Sequence, residues 1–201
     1  MSQPNIVKIV ILGTSGVGKS SIINRYIYDH WDKDMQTTLG AAFLDKTLTY
    51  RGKHFKFQIW DTAGQEKYGP LAQMYYRDAD VAILVYDVTE KSSFSGMKAW
   101  HTELKEKGPK NIILAIVGNK IEMEDEIITK IDGEIYASKH NAIFKATSAK
   151  ENQGINELFD CILDQLLDHS GAVEIMSEMS TSKLSKRQKK DNDGVIKRCC
   201  F

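Results

Sequence analysis

Short runs of Ile, Val and Leu punctuate the chain, with helical patterns between them. "NIVKIVIL" (5–12), "KFQIW" (56–60), "VAILVY" (81–86), "IILAIV" (112–117) and "AIFKA" (142–146) have strand length. Their nearly unbroken apolar content predicts strands covered on both faces, hence a mostly parallel sheet. "AAFLDKTLTYRGKHFKFQIW" predicts two strands turning at Arg51-Gly52, an antiparallel hairpin. Helices are predicted over 19–28, 92–107, 129–140 and 153–168. In the last, Ile155, Leu158, Phe159, Ile162, Leu166 and Leu167 recur every three to four residues. Strands alternating with helices give an α/β fold whose ligands sit at the carboxyl ends of the strands. There is no internal repeat. Past Ser170 the periodicity fades, which predicts a folded domain over 1–170 and a disordered tail over 171–201.

Charge sharpens that boundary. The 201 residues sum to zero, yet 183–201 hold seven Lys/Arg against two Asp, a net of +5, so the remainder carries −5. The basic run has no aromatic stacking platform beside it, which argues against nucleic acid. Three cysteines make no disulfide framework: Cys161 falls in an apolar helical pattern and reads as an inert core thiol, and Cys199 and Cys200 are adjacent. This is the usage of a cytosol-facing protein. No stretch reaches the roughly 20 apolar residues of a membrane span, and the N-terminus lacks a signal peptide's apolar region.

Two motifs carry chemistry. "GTSGVGKSS" (13–21) matches G-x-x-x-x-G-K-[ST] and lies between a predicted strand and a predicted helix. Such a loop turns successive backbone N–H groups toward a phosphate, and the helix terminus adds partial positive charge. Lys19 would reach the outer phosphates and the Ser20 hydroxyl would ligate Mg²⁺. "WDTAGQE" (60–66) closes a strand, where Asp61 suits a nucleotide-bound Mg²⁺, often through water. Gly64 would offer its N–H to a γ-phosphate, and Gln65 would orient an attacking water.

Together "GTSGVGKS", "TTLGAAF", "WDTAGQEKYGPL", "YYRDADVAILVYDVT", "GNK" and "TSAK" follow the order and spacing of the Ras-like small GTPases over about residues 5–168. The flanking variants resemble the Rab branch, and "TTLGAAF" with "MYYRDA" its early-endosome subgroup. The resemblance implies a six-stranded Ras-like P-loop fold, GTP/GDP as ligand with Mg²⁺, and hydrolysis of GTP that is slow unaided. An activating protein's arginine finger adds roughly 10³–10⁵ in rate in Ras-type enzymes. It implies nucleotide contacts from Ser15, Gly16, Val17, Gly18, Lys19, Ser20 and Ser21, with Ser15 standing where Ras has glycine. Trp31 would stack at the base edge, where Phe is usual. Thr38 would join Ser20 and Asp61 on the metal and bond the γ-phosphate together with Gly64, so that phosphate loss relaxes both switch loops. Gln65 would be the catalytic residue. Phe43, Trp60 and Tyr75 match the aromatic triad that effectors read.

Asn119, Lys120 and Glu122 occupy the guanine-reading Asn-Lys-x-Asp pattern, with Ser148, Ala149 and Lys150 supplying the donor for guanine O6. Here the acid is glutamate, one methylene longer. Either the loop backs off and both hydrogen bonds survive, or one is strained. The partners implied are exchange factors, activating proteins, escort and dissociation-inhibitor proteins and effectors, all meeting a monomer on endosomal or vesicle membranes. The ending "KRCCF" has Arg198 where a four-residue prenylation box needs Cys. The pair Cys199 and Cys200 instead resembles the doubly prenylated Rab ending, with Phe201 an unusual last residue. Two lipids plus basic residues would hold a membrane stably. Two competing readings remain: a scaffold that binds nucleotide but barely turns it over, which Gln65 argues against, and a P-loop ATPase or kinase, which "GNK" and "TSAK" argue against.

Overall fold

The computed structural model describes residues 3–38, 40–64 and 69–168. The elements run β1 (Asn5–Leu12), α1 (Lys19–Tyr28), β2 (Ala41–Tyr50), β3 (Lys53–Thr62), α2 (Gly69–Tyr76), β4 (Val81–Asp87), α3 (Lys91–Lys107), β5 (Ile113–Asn119), α4 (Lys130–Lys139) and β6 (Ile143–Thr147). A final helix, α5, covers 155–168. The strands form one six-stranded sheet in the order β2-β3-β1-β4-β5-β6. β2 and β3 pair antiparallel, as Arg51-Gly52 predicts, and every other pair is parallel. The expected α/β sheet is therefore present.

Why the strands are continuously apolar follows from what lies on each face. Val10, Leu12, Ala82, Leu84, Tyr86 and Ile116 pack in one cluster with Tyr76 of α2, Phe94, Met97, Trp100 and Leu104 of α3 and Ala137 of α4. The alternate residues Ile9, Ile11, Ile83, Val85, Ala115 and Val117 are fully buried as well. On that side Tyr26 of α1 stacks on Phe159 of α5 at 3.5 Å between ring centroids, and Phe159 also meets Phe57 of β3. Each fully buried aliphatic side chain contributes about 1.5–3 kcal/mol. A single polar replacement in β1, β4 or β5 would therefore have no solvated face to turn to.

Helix α4 starts on a reciprocal cap: the Asp132 N–H donates to Thr129 Oγ1, and the Thr129 N–H donates to the Asp132 carboxylate. Three features differ from the sequence expectation. Helix α2 has no counterpart in it, because an eight-residue segment opening Gly-Pro gives too few turns for a periodic signal. Element ends shift by one to three residues, as fraying and tight last turns allow. Cys161 sits at the edge of the buried stripe, half-buried rather than core, while Leu158, Phe159 and Ile162 take the inward positions.

Residues 1–163 form one compact unit and Asp164–Phe201 a second, of which 164–168 are helical. The expected tail, with Cys199 and Cys200, lies outside the described residues. Among those described, no helix is long and apolar enough to cross a membrane.

Candidate functional site

Parallel strands deliver their carboxyl ends to one edge of the sheet, and the loops leaving β1, β3, β5 and β6 meet there, with the α1–β2 connection, around a cleft of about 640 Å³. Ser15, Gly16, Gly18, Lys19, Ser20 and Ser21 line one end; Asn119, Lys120, Glu122, Ala149 and Lys150 line the other. Trp31, Thr38 and Gly64 close the sides. Val17 and Ser148 stand behind this wall, both fully buried.

The phosphate-loop end is shaped by close backbone approach. At Gly13 a Cβ would lie 2.3 Å from the Val85 carbonyl oxygen, and at Gly18 (φ +93°) 2.3 Å from Asn119 Nδ2. Gly18 caps α1 without a side-chain bond, so the leading N–H groups of the helix are left for an anion. Lys19, 5% exposed, bends back so that Nζ donates to the carbonyls of Gly13 (3.0 Å) and Thr14 (2.9 Å). Its charge is thereby fixed over the loop.

Beside it, Ser20 Oγ and Thr38 Oγ1 are 2.8 Å apart. Asp61 Oδ1 is buried with no hydrogen-bond partner. Burial pushes this carboxyl above its ordinary range, against the opposing pull of the Ser20 hydroxyl and the Lys19 charge. Two cis ligands at the 2.0–2.1 Å of octahedral Mg²⁺ lie about 2.9 Å from each other. The hydroxyl pair has that spacing, and the orphaned carboxylate oxygen supplies the negative charge, so these residues fit the ion. Among the described residues no cluster of three or more His, Cys, Asp or Glu competes for a metal. Gly64 presses on the phosphate loop: a Cβ there would stand 2.3 Å from Ser15 N and 2.5 Å from Thr14 C. Gln65 lies outside the described residues.

At the other end, Asn119 (2% exposed) donates from Nδ2 to the Val17 carbonyl at 2.9 Å. Its Oδ1 accepts from Thr147 Oγ1 (3.1 Å) and from the Ala149 N–H (3.4 Å). Lys120 takes a left-handed backbone (φ +70°), and its ammonium pairs with Asp87 Oδ2 at 2.6 Å. Burial raises the Asp87 pKa, but hydrogen bonds from Lys120 and Thr89 overcome it and hold the group below its ordinary value. Glu122 Oε2 is buried, lines the cleft and has no hydrogen-bond partner. A buried acceptor without a donor is costly, and a ligand carrying N–H groups would supply the donors.

Outside the cleft, Phe43 and Trp60 meet edge-on at 5.1 Å, and Trp60 and Tyr75 lie 5.2 Å apart. Phe43 is 50% exposed, so the expected triad forms one contiguous aromatic surface. Sequence reasoning missed Asp87, the partner of Lys120, and Arg25, which binds the 149–150 backbone from α1. It also missed Met35, whose sulfur receives the Ser21 hydroxyl at 3.8 Å. Asp87 ends the apolar run "VAILVYD" of strand β4 and was legible as a strand-terminal acid; Arg25 and Met35 carried no local signal.

Comparison with known proteins agrees with this geometry. Residues 8–168 match the Ras family. The chain is 48% identical over 155 residues to the human Ras-related protein Rab-22A, covering 76% of this chain and 79% of that protein. It is 47% identical over 162 residues to the mouse Ras-related protein Rab-31, with 80% and 83% covered. To the GTP-binding protein ypt5 of Schizosaccharomyces pombe it is 45% identical over 162 residues, with 79% and 77% covered. The chain belongs to the Ras family of small GTPases, within its Rab branch.

Proposed function

We propose that this GTPase is a switch of endosomal membrane traffic whose cleft holds guanine nucleotide with Mg²⁺, recruits effectors when GTP is bound and releases them after hydrolysis. The observation that carries the reading is a cleft lined at one end by an unpartnered buried carboxylate oxygen, with a second such oxygen behind the Lys19 and Ser20 that line its other end. Asp61 waits beside a phosphate loop, and Glu122 waits beside a base wall.

The phosphate-loop N–H groups and Lys19 bind the phosphates. Ser20, Thr38 and Asp61 would hold Mg²⁺, which when bound neutralises charge on the phosphate oxygens. Gln65 orients the attacking water, and Gly64 and Thr38 sense the γ-phosphate. Their release on hydrolysis loosens the segments flanking Phe43, Trp60 and Tyr75, which ends effector binding. At the base, Trp31 and the Lys120 stem cover the ring, Glu122 accepts from the guanine N–H groups, and the Ala149 N–H donates to O6. Adenine presents neither pattern. A prenylated Cys199-Cys200 pair and the basic tail would place the protein on an anionic cytoplasmic leaflet.

The test is to denature the purified full-length protein and identify the nucleotide released by chromatography, then follow phosphate release in a single turnover with Mg²⁺. Guanine nucleotide and Mg²⁺-dependent phosphate release support the reading. Adenine nucleotide, or no phosphate release even with an activating protein present, overturns it.

A further inference from the structure

Arg25 lies in the last turn of α1, on the same helix that begins with Lys19, Ser20 and Ser21. Its side chain is 14% exposed. Its donors go three ways: Nε to the Ala149 carbonyl at 2.9 Å, Nη2 to the Lys150 carbonyl at 3.1 Å, and Nη1 to the Asp29 carbonyl at 2.9 Å. Two consecutive carbonyls of the base loop are thus caught by one planar fork. A lysine ammonium, a single point of donation, cannot reproduce that arrangement.

The loop so caught is already tied at its neck. Ser148 and Gln153 exchange both backbone bonds at 3.0 Å, and Ser148 Oγ accepts from the Glu151 N–H at 2.9 Å. Asn152 Nδ2 donates to Asp29 Oδ1 at 3.0 Å, a second strap from the loop to the end of α1. The neck holds the Ser148–Ala149 peptide, which carries the Ala149 N–H, through the Ser148 carbonyl, but it does not tie the following two peptides or fix the loop against α1. Arg25 does both, by holding the Ala149 and Lys150 carbonyls of those peptides from α1. The Ala149 N–H reaches Asn119 Oδ1 at only 3.4 Å, near the outer limit of a hydrogen bond. It is a donor held in place and weakly used.

We propose that Arg25 is a positioning residue for base recognition: its guanidinium anchors the 149–150 backbone to α1, which keeps the neighbouring Ala149 N–H in reach of the purine 6-oxo group and so sets selectivity for 6-oxopurine nucleotides. This rests on the guanine-nucleotide reading of the cleft. Arg25 touches no nucleotide in this scheme, and its effect passes through the loop backbone.

The bland alternative is that Arg25 merely caps α1, since it also pairs with Asp29. The two roles separate when the ligand is varied along with the residue. Dissociation constants are measured on the full-length protein with Mg²⁺ for GDP, inosine diphosphate and 2-aminopurine riboside diphosphate. The first two carry the 6-oxo group and the third lacks it. For Arg25→Ala, GDP and inosine diphosphate are expected to weaken together by about three- to tenfold, the range of one neutral hydrogen bond. The 2-aminopurine nucleotide should change less than about twofold. Arg25→Lys guards against misfolding. It keeps a cation at the helix end, so melting should stay near that of the unsubstituted protein while the same selectivity is lost. An equal loss for all three ligands, or full selectivity retained in Arg25→Lys, overturns the proposal. If the unsubstituted protein shows no preference for 6-oxo nucleotides, the reading of the base end itself has failed, and that result is distinguishable from the others.

Discussion

Glu122→Asp should tighten GDP binding. Glutamate carries its carboxylate about 1.5 Å further than aspartate, one C–C bond. A charge-assisted hydrogen bond has its optimum between about 2.7 and 2.9 Å, so either the loop or the bond must absorb that difference. The loop has little freedom to do so. The Met123 N–H is bound to the Lys120 carbonyl at 3.0 Å, the Ile121 N–H to the Thr147 carbonyl at 3.3 Å, and the Lys120 ammonium to Asp87 at 2.6 Å. Glu122 Oε2 is buried without a partner, so it has no protein donor to turn to instead. One of the two bonds proposed to a bound guanine would therefore be strained. Restoring a charge-assisted bond returns about 1.5–3 kcal/mol, about ten- to a hundredfold in affinity. Most of it should appear as slower dissociation. The assay is stopped-flow release of a fluorescent GDP analogue into excess unlabelled GDP, with Glu122→Gln in parallel. The glutamine amide places donors toward donors and should release faster than the glutamate. Unchanged or faster release from Glu122→Asp would refute the strained-bond argument, and an unchanged Glu122→Gln would show a carboxylate that reads nothing.

Three further outcomes follow from the packing and the charges. Gly64→Ala puts a methyl 2.3 Å from Ser15 N, so the second switch must retreat by about 1 Å to reach ordinary contact. Single-turnover hydrolysis should fall by roughly a hundredfold, with GDP affinity within about twofold of normal. Gly133→Ala gains about 1 kcal/mol of helix propensity, but its methyl would lie 2.3 Å from Phe144 Cε2 and 2.5 Å from the Tyr86 hydroxyl oxygen. Overpacking at about 1–3 kcal/mol should win, lowering the melting temperature by about 2–4 °C. Asp87 has a folded pKa below its ordinary 3.8, so its stabilisation is complete above that value and is lost as pH falls through it toward the folded value. Asp87→Asn should cost about 1–3 kcal/mol in urea unfolding at neutral pH, less than a wholly buried pair because Lys120 is one-third exposed. It should also flatten the acid limb of the stability profile.

The parts of this molecule that the sequence made legible are those whose partners are local or whose periodicity is long. β1, β4 and β5 announce themselves because both of their faces are covered, and the phosphate loop does so because close backbone approach requires glycine at fixed intervals. Glu122 could be placed at the proposed base end from the resemblance of 119–122 to the Asn-Lys-x-Asp pattern, yet its lack of a partner could not, since that depends on how the walls close. Arg25 was invisible for a plainer reason. It binds a carbonyl 124 residues away, and a backbone acceptor leaves no side-chain signature at the far end. Helix α2 failed on length. Cys161 was misjudged because periodicity locates a stripe but not its edge.

β1 is central in the sheet, between β3 and β4, and the loop that cradles phosphate is simply its continuation. Its register is set by strands made much later, Val7 against Phe57 and Ile9 against Val81. A nascent chain that has exposed the whole glycine-rich loop still has no sheet to hold it open, and the opposite wall is incomplete until Lys150 has emerged. Nucleotide can therefore bind only a nearly finished polypeptide. Cellular nucleotide then acts as a last-stage stabiliser, favouring the completed fold over every shorter intermediate by mass action. Truncation anywhere before residue 150 should yield a protein that not only fails to signal but is also denied the ligand that would have kept it folded.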